Sequence, residues 1–225
     1  RRDRGADPCF CVAGEARGDK NLGILPDAIR RYFSAGGRGT FNIQLQPMLG
    51  NGTEKLIRRD LPRLRKEFPG RVSLLAAPLY GDAFYAHIAG SDAVLLTYPG
   101  QHYQNRISQI ALEAAAFGVS CVAARHSSME EELARLDNGS VFMEKADAGC
   151  LAAAMLDFEQ NLAGNRAKAA RGGEICRAYH NADTYFDIIA DPENFAYPDY
   201  ARVEPLPPRH PLPEIQNGEE CACAS

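Results

Sequence analysis

Two cations stand three residues apart in Gly14-Glu-Ala-Arg17-Gly-Asp-Lys20-Asn-Leu, directly after a short apolar run. Arginine offers a rigid two-pronged donor and lysine a compact charge, a combination suited to a diphosphate. A glycine just beyond a strand also lets a ligand approach the backbone closely. A solvated loop with two cations is an ordinary feature too, so this segment alone leaves both readings open. A second segment, Asp92 to Gly118 (DAVLLTYPGQHYQNRISQIALEAAAFG), gathers Tyr98, Tyr103, Asn105, Arg106 and Ser108 in one loop. That density of hydrogen-bonding groups exceeds what a connector needs. The loop runs into a helix opening at Ile107-Ser108, whose N-terminal amides favour an anion. Ser108 either caps this helix or helps hold a phosphate through its amide and hydroxyl. One acid, Glu113, follows about one and a half turns in.

Other chemistries find less support. His87, His102, His126, His180 and His210 do not cluster with a nucleophile, and no Ser-His-Asp or Cys-His arrangement is defensible from spacing. His126, in Arg125-His-Ser-Ser after a strand, is the one expected to face the same sheet end. Cys221-Ala-Cys223 lacks a nearby histidine or second cysteine pair at zinc spacing and reads as a frayed tail. There is no GxGxxG, so no dinucleotide fingerprint. The net charge of -4 and a pI near 5.8 argue against nucleic acid or an anionic membrane as the main partner. No run of about 18 apolar residues offers a transmembrane span, and the opening Arg-Arg-Asp-Arg-Gly is not a secretory signal.

The elements that must position these groups alternate regularly. Candidate strands are Phe10–Ala13, Phe41–Leu45, Val72–Ala76, Ala93–Thr97, Ser120–Ala123 and Val141–Phe142. Helical patterns fall near 22–35, 53–67, 82–89, 108–117, 129–136, 147–162 and 166–179. Within 53–67, Ile57, Leu61, Leu64 and Phe68 share a face, Pro62 should kink or split the helix, and the cations Lys55, Arg58, Arg59, Arg63, Arg65 and Lys66 read as a solvated outer face. Alternation of this kind specifies an α/β class: a single Rossmann-like domain over 9–190, its parallel sheet covered by helices on both faces. Residues 1–8 read as a linker start and 191–225 as a proline-rich tail, extended or disordered. Polar residues beyond the carboxyl ends of such strands mark the usual ligand position. Cys9, Cys11 and Cys121 fall in expected buried strands, where cysteine acts as a small hydrophobe, which implies a reducing, cytoplasmic compartment.

The Asp92–Gly118 segment resembles the nucleotide-sugar-binding half of the retaining GT-B glycosyltransferases of group 1 (family 4). Their signature is an acid, seven residues, Glu-Ala, a turn of helix and a Gly; here Glu113-Ala114 and Gly118 match, while Asn105 takes the place of the acid. A subset with Tyr, Arg, Ser and Glu-Ala is matched by Tyr103, Arg106, Ser108 and Glu113-Ala114. The segment from Gly14 is similar to the family's Gly-Arg-Lys-Gly stretch, with Asn21 where a Gly is usual, and Leu49-Gly50-Asn51-Gly52 to its Gly-x-Gly turn. The resemblance runs from about Cys9 to Ile189. It implies that Arg17 and Lys20 neutralise the donor diphosphate and stabilise the departing one. It further implies that Glu113 accepts from the ribose hydroxyls, that Asn105 lies at the donor sugar, and that Leu79 and Tyr80 receive the base. Gly14, Arg106 and Ser108 complete the donor-binding set. No essential metal and no cofactor beyond the nucleotide diphosphate sugar are implied.

The activity expected on this basis is transfer of a hexose, with retention, to an acceptor whose class (glycan, lipid or small molecule) the residues do not give. The acceptor site belongs to an N-terminal Rossmann domain, so the chain reads as a fragment, with peripheral membrane contact possible only through that missing half. A non-catalytic nucleotide-sugar-binding module and a GT-B nucleotide-sugar epimerase remain open beside it.

Overall fold

The computed structural model describes residues 5–191, without 49, 51 and 107 and without the side chains of 187 and 188. The proline-rich tail from 192, Cys221 and Cys223, and the Leu49 and Asn51 members of the glycine turn lie outside the described residues, as does Ile107. Six strands form one sheet: β1 (Cys9–Val12), β2 (Thr40–Gln44), β3 (Val72–Leu75), β4 (Ala93–Leu95), β5 (Ser120–Ala124) and β6 (Val141–Met143). Every pairing is parallel and the order is β3-β2-β1-β4-β5-β6. The central strands read as near-continuous apolar runs because both of their faces are covered; all five residues of β5 are buried.

The helices are α1 (Leu25–Ser34), α2 (Leu61–Glu67), α3 (Gly81–Ala89), α4 (Gln109–Ala116), α5 (Ser128–Arg135), α6 (Ala148–Gln160), α7 (Leu162–Tyr179) and α8 (Ala182–Ala190). One sheet face packs on α1, α2 and α6 around Phe10, Tyr32, Phe41 and Phe158, whose rings meet edge-on, tilted or stacked at 5.3–5.8 Å. Each such buried phenylalanine contributes about 1.5–3 kcal/mol of transfer free energy. The other face packs on Ile88 of α3, Ala111, Ala114 and Ala115 of α4, Met129 and Leu133 of α5, and Ile175 and Cys176 of α7. The cover is uneven: on β2 and β3 the second face carries half-buried Asn42 and exposed Ser73 and Leu75.

Pro62 splits its helix as expected. A π-helical turn over Leu56–Asp60, closed by the Leu61 amide on the Leu56 carbonyl, precedes α2, and Pro62 sits in the first turn of α2, where its missing N–H costs nothing. The cations of this segment are all exposed, and Arg59 and Arg63 pair with Asp60 and Glu67. The start of β4 is bolted across the molecule. Buried Asp92 accepts from Arg166 of α7 at 2.8 and 2.9 Å and from the Cys9 amide at 2.9 Å, and Arg166 also donates to the Gly5 carbonyl.

Candidate nucleotide-sugar site

The sequence-derived site residues other than Glu113, which lies within α4, fall in the segments that follow the carboxyl ends of the strands. Strand order reverses between β1 and β4, the topological position beside which open parallel sheets usually bind their ligands. Gly14 and Arg17 follow β1, Lys20 closes a 3-10 turn over Gly18–Lys20, and Asn105, Arg106 and Ser108 lie between β4 and α4. Tyr80 immediately precedes α3, farther along the same edge.

The β1 loop is held by β2. The Gly14 amide donates to Gln44 Oε1 at 2.8 Å, and the Gln46 amide donates to the Gly14 carbonyl at 2.9 Å. Gly14 has φ +99°, and a Cβ there would come 3.1 Å from Ile110 Cδ1 and 3.5 Å from Lys20 Nζ. Glycine thus serves both the left-handed backbone and the approach of the Lys20 ammonium. Asn21 lies at φ +52°, which explains how it stands where the resemblance has glycine: asparagine tolerates this region, and its side-chain amide anchors on the Ala146 carbonyl at 2.7 Å. Below, Thr53 donates from its hydroxyl to the Ala16 carbonyl at 3.1 Å, fixing its own position against the same loop.

The two cations differ. Lys20 is 6% exposed, and among the described residues no carboxylate lies within ion-pair distance of its ammonium. Nζ sits 5.8 Å from the centroid of Tyr98, within cation–π range. Burial, and then the neighbouring Arg17 charge, push the ammonium down from 10.5 to about 8, against the opposing pull of Glu15 and Asp19. Arg17 is half-exposed and grips Asp19 through Nε at 3.1 Å and a terminal nitrogen at 3.2 Å, with a longer 3.5 Å contact from that nitrogen to the Tyr103 hydroxyl. Asp19 thus orients the Arg17 guanidinium.

Tyr98 and Tyr103 are buried and stack at 4.6 Å, so one aromatic pair lies beneath both cations. The β4 loop is tied to the β1 loop by Thr97, whose hydroxyl donates to the Lys20 carbonyl at 2.5 Å, and to α5 by Ser128, whose hydroxyl reaches the Tyr103 and Arg106 carbonyls. Gly100 is required where this loop crosses the β5 end, because a Cβ would lie 2.2 Å from the Arg125 carbonyl oxygen. Ser108 is buried and caps α4, its Oγ accepting from the Ala111 amide at 3.4 Å. Glu113 is half-buried in α4, with Oε1 accepting from Gln109 at 2.9 Å. Asn105 and Arg106 are exposed, and Tyr80 is 73% exposed.

The structure therefore brings together Gly14, Arg17, Lys20 and the Ser108 end of α4, and leaves Asn105, Arg106 and Tyr80 projecting from the rim. His126 serves its turn, with φ +57° and its amide donating to Glu130 at 2.6 Å. Among the described residues no group of three His, Cys, Asp or Glu side chains could hold a metal ion, and no helix is long and apolar enough to cross a membrane. Gln44, Asp19 and Thr53 were missed from sequence.

No family model and no curated protein matches the chain by sequence. Its fold is that of the C-terminal Rossmann-like half of GT-B enzymes. HepE of Anabaena, solved in complex with UDP, superposes with a TM-score of 0.67 at 18% identity over 83% of this chain and 48% of that one. An α,α-trehalose-phosphate synthase (UDP-forming) from Burkholderia vietnamiensis gives 0.63 at 15% over 83% and 45%. Sucrose-phosphate synthase from Thermosynechococcus elongatus gives 0.59 at 19% over 84% and 47%. The chain spans about half the length of these proteins.

Proposed function

We propose that the chain is the donor-binding domain of a retaining GT-B glycosyltransferase of the group 1 (family 4) kind, which holds a nucleotide diphosphate sugar between the loops that follow β1 and β4. The observation that carries this reading is the buried Lys20 ammonium. It has no carboxylate partner among the described residues and stands against Gly14 at the switch point. A buried cation with no carboxylate in direct contact is costly to a fold, and a diphosphate supplies a directly paired charge. Arg17, oriented by Asp19, supplies a second charge, and the two cations stabilise the diphosphate as it departs, so the transfer as proposed invokes no metal. Glu113 accepts from the ribose hydroxyls with the oxygen that Gln109 does not occupy. Gly14 and Ser108 present backbone to the phosphates, Arg106 and Asn105 face the sugar side, and Tyr80 receives the base. The acceptor site comes from a second, N-terminal Rossmann domain, and the protein works in a reducing, cytoplasmic setting.

Asn105 favours a second reading. It is exposed at the position where the resemblance has an acid, and an uncharged amide there fits a domain that binds nucleotide sugar without turning it over. Calorimetry with UDP, GDP and ADP is the first test: absence of binding at millimolar ligand sinks both readings. If one nucleotide binds, Glu113→Ala should weaken it by roughly 1–3 kcal/mol for a lost charge-assisted hydrogen bond; unchanged affinity removes Glu113 from the site.

A further inference from the structure

Gln44 is a buried polar residue that the proposed transfer does not touch. It ends β2, is 1% exposed, and spends both ends of its amide on backbone from two different loops. Its Oε1 accepts from the Gly14 amide at 2.8 Å, and its Nε2 donates to the Ala77 carbonyl at 2.7 Å. Gly14 opens the loop that carries Arg17 and Lys20. Ala77 belongs to the segment after β3 that ends at Tyr80. The side-chain type is dictated by this geometry: an apolar residue would leave a buried donor and a buried acceptor unmatched. A carboxylate could accept from Gly14 but would face the Ala77 oxygen without a proton to share. Because the Gly14 carbonyl is fixed as well, by the Gln46 amide, the linkage from one loop to the other has little slack.

We propose that Gln44 is a positioning residue that couples the phosphate loop to the base loop, so that the diphosphate and nucleoside parts of the donor bind cooperatively. This rests on the donor-site reading above. Each part orders one end of the same amide, and the second part then meets a loop already in place; by linkage the effect is reciprocal.

The test uses pyrophosphate and the nucleoside of whichever of UDP, GDP and ADP binds, titrated into the wild type and Gln44→Met. In the wild type, saturating pyrophosphate should tighten nucleoside binding about fivefold or more. In Gln44→Met the two should bind independently, while circular dichroism reports an intact fold. A merely structural glutamine would lower stability or both affinities and leave the cooperativity in place, which overturns the proposal. If Gln44→Met does not fold, wild-type NMR decides: pyrophosphate alone should shift the Ala77, Leu79 and Tyr80 amides, and their silence overturns it. A wild type that binds no nucleotide defeats the donor-site reading and this proposal together; one that binds UDP, GDP or ADP without cooperativity defeats this proposal alone.

Discussion

Replacing Lys20 by methionine should make the protein more stable at neutral pH while weakening the proposed binding of a nucleotide diphosphate. Burial holds the ammonium at about 8 rather than 10.5, a gap worth about 3 kcal/mol against the charged form at ~1.4 kcal/mol per pH unit. Below pH 8 both folded and unfolded chains carry the charge, so the folded state bears this cost in full. Between about 8 and 10.5 the folded chain has released the proton and the unfolded chain has not. The contribution of Lys20 to stability therefore rises through that window, and it is lost as pH falls back through about 8. Methionine keeps the stem volume and removes the charge, but forfeits the contact with Tyr98, worth about 0.5–2 kcal/mol. The net expectation is a gain of about 1–2 kcal/mol at pH 7 that shrinks at pH 10, where the wild-type amine is already neutral. Urea unfolding at the two pH values measures it. Calorimetry on the same samples should show the nucleotide diphosphate bound at least about tenfold more weakly, from charge-assisted hydrogen bonds of roughly 1.5–3 kcal/mol. A variant less stable than the wild type at pH 7, with unchanged affinity, would show that the ammonium serves the fold and not a ligand.

Further expectations concern the frame. Arg166→Ala strands the buried Asp92 carboxylate and should cost roughly 3–5 kcal/mol in urea unfolding; a loss below about 1 kcal/mol would mean the pair behaves as a surface bridge. Gly100→Ala drives a Cβ to 2.2 Å from the Arg125 carbonyl, so a fall in thermal midpoint of several degrees is expected, and an unchanged midpoint would contradict the packing. Ser108→Ala removes the α4 cap and should cost about 0.5–2 kcal/mol; a larger effect on nucleotide affinity than on stability would identify the hydroxyl as a ligand contact.

The strand pattern was legible because covered parallel strands announce themselves as short apolar runs, and all six fall within a residue or two of their expected places. Pro62 was legible too, since its ring and missing N–H act locally. Gln44 was not. In Phe41-Asn-Ile43-Gln-Leu45 the alternation assigns it to a solvent face, and only the segment after β3, folding over the strand end, buries it. Asp19 escaped notice because a two-residue step says nothing of which way a guanidinium turns. The α8 helix was missed because Asp183-Thr-Tyr-Phe carries a mixed pattern, and the apolar face it presents, with Tyr185 and Phe186 over 60% exposed, is not buried against this domain.

The position of β1 in the middle of the sheet has a consequence for how the chain assembles. Its partner on one side, β2, begins 28 residues after it ends, whereas its partner on the other, β4, begins 81 residues on. The first three strands can pair locally, while the second half must close a long loop to dock, a slow, entropically costly step. The β1/β4 switch point is the seam of that docking, with the cations contributed by the N-terminal half and the capped helix α4 by the C-terminal half. Asp92, gripping the Cys9 amide and Arg166, latches the seam at one end; a bound diphosphate would stitch it at the other. A ligand placed there resists separation of the halves, so it should slow unfolding more than it hastens folding.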